Sequence, residues 1–268
     1  MNDNLAFKLI PPPLSQAEET SISFKNFHVW INDQHILKDL NLSFQKNAIN
    51  CIIGPSGGGK STLIRSINRI NDETPGFASQ GGLLFNNEDI YQKNYNNTEL
   101  RSQVGMVFQK PCVFPCSIEE NLLFGVRFQK KLSKRQRIEI VEQGLKDVAL
   151  WSEVKHRLTD PATSLSLGQQ QRLCLARSLA LEPKVILLDE PTASLDPLST
   201  RAIETLMLQL KEKYTIIFVT HNIAQAKRIA DNLSFLCEGE LVEQGTIKQI
   251  VNHAKDQRTV DYLSEKET

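Results

Sequence analysis

Gly54-Pro55-Ser56-Gly57-Gly58-Gly59-Lys60-Ser61-Thr62 carries the spacing G-x-x-x-x-G-K-S, the pattern of a phosphate cradle. Glycines let backbone N–H groups turn inward where a Cβ would clash. A helix N-terminus behind them adds unpaired donors and the positive end of the peptide dipoles. In such a cradle Lys60 reaches the β- and γ-phosphates of a nucleotide and Ser61 ligates Mg²⁺. The flanks fit. The apolar run Ile49-Asn50-Cys51-Ile52-Ile53 reads as a buried strand, and Leu63–Ile70 has helical spacing.

Phosphoryl transfer also needs a second metal anchor and a group that orients water. Leu187-Leu188-Asp189-Glu190-Pro191 offers both. At the tip of a buried strand, beside the phosphate loop of a neighbouring strand, Asp189 holds Mg²⁺ through its water. Glu190 faces another way and polarises the attacking water as general base. His221 follows the strand Ile216–Thr220 and reaches the γ-phosphate or the attacking water; alone, such a histidine is structural. Gln109 closes the strand Val104–Phe108 and offers its amide to Mg²⁺ or water, or is a plain surface glutamine.

Leu165-Ser166-Leu167-Gly168-Gln169-Gln170-Gln171-Arg172 opens an apolar helix, a second helix N-terminus and hence a second anion site. One nucleotide already has its phosphates wrapped by the first loop. The economical use of Ser166, Gly168 and Gln169 is to cap the γ-phosphate held by another copy, which requires a head-to-tail dimer with two shared sites. Without a ligand the octet is a capped helix.

The elements that must position these groups follow from periodicity. Ile22, Phe24, Phe27, Val29 and Ile31, then Leu37, Leu40, Leu42 and Phe44, give a β-rich opening, some of it antiparallel. Val185–Leu188 and Thr215–Val219 are short continuous apolar runs, typical of strands covered on both faces. Asp196-Pro197 starts a helix, with Asp as N-cap and Pro at N1. Strands alternating with helices imply a mostly parallel sheet with right-handed crossovers. The chain thus divides into a tail over residues 1–20 and an α/β domain over 21–268. The domain has a nucleotide-binding core at about 21–109 and 176–268, and a helical insert at about 110–175.

Charge is balanced, with 31 basic and 31 acidic residues, so no global field draws nucleic acid or an anionic membrane. The cluster Arg127, Lys130, Lys131, Lys134, Arg135 and Arg137 reads as a solvated helix face rather than a nucleic-acid patch. A single aromatic residue, Phe128, interleaves, and Glu139 and Glu142 follow at once. Cys51, Cys112, Cys116, Cys174 and Cys237 are scattered and odd in number, which fits ordinary thiols in a reducing compartment. Met1–Leu5 lacks a basic n-region, and no stretch nears the roughly 20 apolar residues that span a bilayer. The chain is expected to be soluble, or held at a membrane through partners.

Taken in order, Gly54–Thr62, Gln109, Leu165–Gln169, Asp189-Glu190, Ser194-Leu195-Asp196 and His221 resemble the motif series of the ATP-binding-cassette ATPases from about residue 21 onward. Phe108-Gln109-Lys110-Pro111, Phe114-Pro115, Gln169–Cys174, Thr220-His221-Asn222 and Gly239–Glu243 are similar to one branch, the ATPase subunits of bacterial phosphate importers. The resemblance implies an ATP hydrolase with ATP and Mg²⁺ as cofactors. It implies a homodimer beneath two membrane-spanning permease subunits, peripheral on the cytoplasmic face of the bacterial inner membrane. A periplasmic phosphate-binding protein feeds such an importer, and the ATPase never touches the transported ion. It also implies a groove at Phe114–Phe124 for a permease helix.

Two positions depart from the family pattern. Leu167 stands where the family has glycine, adding bulk and disfavouring φ > 0; Ser166 and Gly168 remain, so capping is expected to survive. In the adenine-stacking loop the residues aligned with the family's aromatic and turn glycine are Ile31 and Asn32. Trp30 lies one place early, so it stacks on adenine only if the strand bulges. Three rivals stay open. They are an importer subunit for another solute such as amino acids, a soluble ATPase of DNA repair or chromosome structure, and a phosphate-loop kinase. No sustained heptads lie between Lys60 and Leu165, against the second; the third leaves Leu165–Arg172 without a role.

Overall fold

Alternate positions along each strand point to opposite faces, and the apolar residues obey that period closely enough to build two sheets. The structure, a computed structural model, describes residues 20–129 and 131–265. The tail read over 1–20 lies outside the described residues but for Thr20, as does Lys130 of the basic cluster.

β1 (Thr20–Ile31) and β2 (Gln34–Gln45) form an antiparallel hairpin. β3 (Ile49–Ile53) runs into the phosphate loop and α1 (Lys60–Ile67). β4 (Phe77–Phe85) and the short β5 (Glu88–Asp89) complete a four-stranded antiparallel sheet of order β2-β1-β4-β5. α2 (Asn97–Gln103) then leads to β6 (Val104–Val107). A run of helices follows: α3 (Ile118–Leu123), α4 (Val126–Gln129), α5 (Lys134–Asp147), α6 (Trp151–Val154) and α7 (Leu167–Leu179).

The chain returns through β7 (Val185–Asp189), α8 (Pro197–Leu210), β8 (Thr215–Val219), α9 (Ile223–Ile229) and β9 (Asn232–Cys237). It finishes with β10 (Glu240–Thr246), α10 (Ile247–His253) and α11 (Gln257–Glu265). The second sheet has the order β10-β9-β3-β8-β7-β6, parallel throughout except for β10. α8 starts as the sequence indicates. Asp196 accepts from the N–H groups of Leu198 and Ser199, and Pro197 is the first helical residue.

The strand period sorts the core into two layers. Ile52 of β3, Leu187 of β7, and Ile217 and Val219 of β8 pack with Leu63, Ile64 and Ile67 of α1 against Phe24, Phe27 and Phe44 of the antiparallel sheet. Ile49, Cys51, Ile53, Leu188, Ile216 and Phe218 point the other way, into a core shared with α3, α5, α7, α8 and α11. The phosphate-loop helix is therefore clamped between two sheets, and the sheet beneath it rests on helices. The basic residues of α5 stand exposed, with Arg135 donating to Glu139 at 2.7 Å, as a solvated face.

A buried polar knot fixes the end of β8. Gln225, on α9, accepts from the Thr220 hydroxyl at 3.0 Å and donates to Thr192 and Glu204 at 3.0 Å each. Arg228 neutralises Glu204 through two bonds of 3.0 and 2.6 Å. We expect Gln225→Leu to lower the unfolding free energy by about 1–3 kcal/mol, since it strands several polar groups without partners. A urea titration in which the midpoint falls and the slope stays constant is the check.

Candidate functional site

Strand β3 delivers the glycine loop to the start of α1, where Gly59 is the N-cap at φ 93° with no side-chain cap. That left-handed φ suits glycine alone, and a Cβ there would come within 2.7 Å of Leu37 Cδ2 and 3.2 Å of the Ile36 carbonyl. The first N–H groups of α1 are thus left for an anion. Lys60, 7% exposed, turns back over the loop and donates to the carbonyls of Gly54 at 2.9 Å and Pro55 at 2.8 Å. Burial pushes its ammonium below the usual lysine range, while the nearby Glu190 and Asp189 carboxylates oppose the shift.

Asp189 does not sit on a strand adjacent to the loop strand, as the sequence suggests: β8 lies between β3 and β7. The carboxylate spans that interval because α1 crosses above the strand tips. Ser61 Oγ donates to Asp189 Oδ1 at 2.9 Å, and Arg65 Nη2 donates to Oδ2 at 3.0 Å. Asp189 is 2% exposed, so the pair formed with Arg65 compensates a buried charge. A hydroxyl and a carboxylate oxygen at this distance are the hard-oxygen donors a Mg²⁺ ion takes.

Glu190 adopts φ 46°, a left-handed conformation that costs a non-glycine residue about 1–2 kcal/mol. Its carboxylate meets His221 Nδ1 at 3.1 Å and accepts from Gln109 Nε2 at 3.4 Å. The expected water-orienting groups, Glu190, His221 and Gln109, therefore converge. Gly54, Pro55, Ser56, Glu190, His221, Tyr262 and Glu265 line a cavity of about 410 Å³.

Ser166, Gly168 and Gln169 do not line that cavity. Ser166 caps α7 in a reciprocal box with Gln169: its hydroxyl accepts from the Gln169 N–H at 3.4 Å, and its own N–H donates to Gln169 Oε1 at 2.9 Å. Acceptance leaves the hydroxyl proton free to donate. Leu167 is the first residue of α7, has no positive φ, and stands 43% exposed, so the bulk is real but the backbone is relaxed. Gly168 has no room for a Cβ, which would meet Ser199 Oγ at 2.6 Å.

The β1–β2 register does slip between Val29 and Trp30. There the Trp30 ring stacks on His35 at 4.5 Å and His28 at 5.6 Å, and His28 Nδ1 and His35 Nε2 lie 3.1 Å apart. Burial, with the charges of His28 and Lys38, lowers the His35 pKa.

Two residues absent from the motif reading touch the site. Arg65 was detectable, since it stands four positions after Ser61 on one helix face. Tyr262, whose hydroxyl donates to the Gly54 carbonyl at 2.9 Å, comes from the far end of the chain with no local signal.

An uncapped helix behind a glycine loop, with a buried aspartate and a positioned glutamate at a parallel strand tip, defines a phosphate-loop nucleoside triphosphatase. A family model described as ABC transporter matches residues 37–193. The chain belongs to the ABC transporter family, as one of its ATP-hydrolysing subunits. It is 51% identical to the phosphate import ATP-binding protein PstB of Thermotoga maritima, over 92% of this chain and 99% of that one. It is 46% identical to PstB 1 of Enterococcus faecalis, over 91% and 97%. Among solved structures, CbiO1 of Clostridium perfringens, part of an ABC transporter complex, matches with a TM-score of 0.76 at 30% identity, over 87% of this chain and 91% of that one. A dimeric ATP-binding cassette bound to ADP and phosphate, in a post-hydrolysis state, matches with a TM-score of 0.73 at 28% identity, over 84% and 98%.

Arg65→Ala leaves the buried Asp189 carboxylate without its cation and is expected to lower stability by about 1–3 kcal/mol, measured by chemical denaturation.

Proposed function

We propose that this chain energises the uptake of inorganic phosphate, as the ATP-hydrolysing subunit of an importer on the cytoplasmic face of a bacterial inner membrane. The observation that carries the hydrolytic part is the convergence of His221 and Gln109 on one Glu190 carboxylate beside the phosphate loop. The near full-length relationship to phosphate import ATP-binding proteins supports the cargo.

In this reading the loop Gly54–Thr62 binds the triphosphate through backbone N–H groups, and Lys60 balances its charge. Ser61, Asp189 and Gln109 hold Mg²⁺, which supplies charge neutralisation of the transferring phosphoryl group. Glu190 takes the proton of the attacking water, and His221 keeps that carboxylate oriented and reaches the γ-phosphate. Trp30, already stacked flat against His35, offers its indole to the adenine ring.

ABC ATPases of importers work as dimers with membrane permease subunits. Here Ser166, Gly168 and Gln169 lie outside the cavity of their own chain, which suits donation across a dimer to a nucleotide held by the second copy. The division into a nucleotide-binding core and a helical insert at about 110–175 gives the partner-facing surface its own element. Phe114 and Phe124 pack at 4.2 Å, flanked by Arg177 and Arg127 over their faces, and Phe128 stands 75% exposed. This apolar group takes a permease helix, while a periplasmic phosphate-binding protein delivers cargo to the permeases. No helix among the described residues is long and apolar enough to cross a membrane.

Glu190→Gln is expected to slow hydrolysis by about 10²–10⁴-fold and to trap an ATP-bound dimer visible by size-exclusion chromatography. Turnover at the wild-type rate would remove Glu190 as base. For the cargo, the chain is to be purified with its permeases and placed in vesicles. ATP-driven uptake of labelled phosphate is expected; uptake of another solute such as an amino acid, with none of phosphate, would overturn that part.

A further inference from the structure

The last helix of the chain reaches into the phosphate loop. Tyr262 of α11 donates its hydroxyl to the Gly54 carbonyl at 2.9 Å, across a sequence separation of 208 residues. Lys60 Nζ donates to the same oxygen at 2.9 Å and to the next carbonyl, Pro55, at 2.8 Å. A carbonyl has two lone pairs, so the Gly54 oxygen is fully claimed, once by the loop's own lysine and once by α11. An ammonium has three N–H donors. Two are fixed on these carbonyls, which leaves one, with the charge, for a phosphate oxygen.

The Gly54 peptide is confined on its other side as well. Its φ is 149°, and a Cβ there would lie 1.9 Å from the Leu236 carbonyl of β9. The phenol is equally constrained. Tyr262 is 8% exposed, and its ring stacks on Phe235 of β9 at 5.0 Å with the planes 29° apart. Thr259 and Leu263 of the same helix are buried beside it. Burial pushes the Tyr262 phenol up, away from ionisation, with Glu190 adding to the shift, so it stays a donor.

We propose that Tyr262 is a positioning residue for nucleotide binding: by pinning the Gly54 carbonyl from α11, it sets where the Lys60 ammonium is held. This rests on the reading of Gly54–Thr62 as an ATP-binding loop. Tyr262 acts through Gly54 and Lys60 on the triphosphate, in the ground state and the transition state alike. Its loss therefore weakens binding and leaves the chemical step alone.

Tyr262→Phe deletes the hydroxyl and keeps the ring on Phe235, so the fold survives. The full chain is titrated with a fluorescent ATP analogue and Mg²⁺, its KM and kcat for ATP are measured, and its melting temperature is recorded without nucleotide. The expected result is a five- to tenfold rise in Kd and KM, with kcat close to wild type and the melting temperature lower by no more than about 2–4 °C, the shift that one lost hydrogen bond makes in a domain of this size. Ser264→Ala, on the exposed side of α11, is the control expected to match wild type in all three. Binding within twofold of wild type in Tyr262→Phe overturns the proposal. So does a fall in kcat at constant KM, or a loss of binding that merely follows a larger fall in melting temperature. If the wild-type chain itself binds no ATP, the ATP-binding reading has failed instead.

Discussion

A buried ammonium is the constraint on which this molecule is organised. Lys60 sits in the fold's interior with its Nζ against two backbone carbonyls, and such a charge is tolerated only where dipoles and opposite charges meet it. The carbonyls of Gly54 and Pro55 supply the dipoles, and Asp189 and Glu190 supply the field. Each of those groups must in turn be held. Asp189 is gripped by Ser61 and Arg65, and Glu190 by His221 and Gln109. The site is therefore one electrostatic unit whose members come from four separate stretches of chain.

The two-layer core gives that unit its rigidity. α1 is wedged between the antiparallel and parallel sheets, so the loop before it cannot slide without disturbing Leu63, Ile64 and Ile67. The parallel strands β3, β8 and β7 end side by side, and their tips carry the loop, His221 and Asp189-Glu190. Rigid strands place these side chains; the loops beyond them supply the conformational freedom, including the left-handed turn at Glu190. α7 stands apart, with a capped N-terminus that lines no part of the same cavity. That separation is what the proposed sharing of a triphosphate between two copies requires.

Much of this was legible one residue at a time. The glycine spacing before Lys60, the apolar runs of β3, β7 and β8, and the Asp196-Pro197 helix start are local signals, and local signals survive being read in one dimension. The pairing order was not legible. Reading Asp189 as the neighbour of the loop strand missed β8, because the order of parallel strands is fixed by crossover packing rather than by any residue of the strands themselves. Leu167 looked like a backbone difficulty and proved a relaxed first helical residue, since helix geometry at that position asks for no positive φ.

By itself the sequence determined the chemistry: which side chains are available, that they form a phosphate loop with acidic partners, and that the scaffold is α/β. The tertiary structure alone decided which of them touch. Arg65 pairs with Asp189, and Tyr262 reaches Gly54 from the opposite end of the chain, because both distances depend on how helices lie across sheets. Spacing along a chain encodes local geometry, whereas contacts between distant segments are set by the packing of whole faces, which no single motif records.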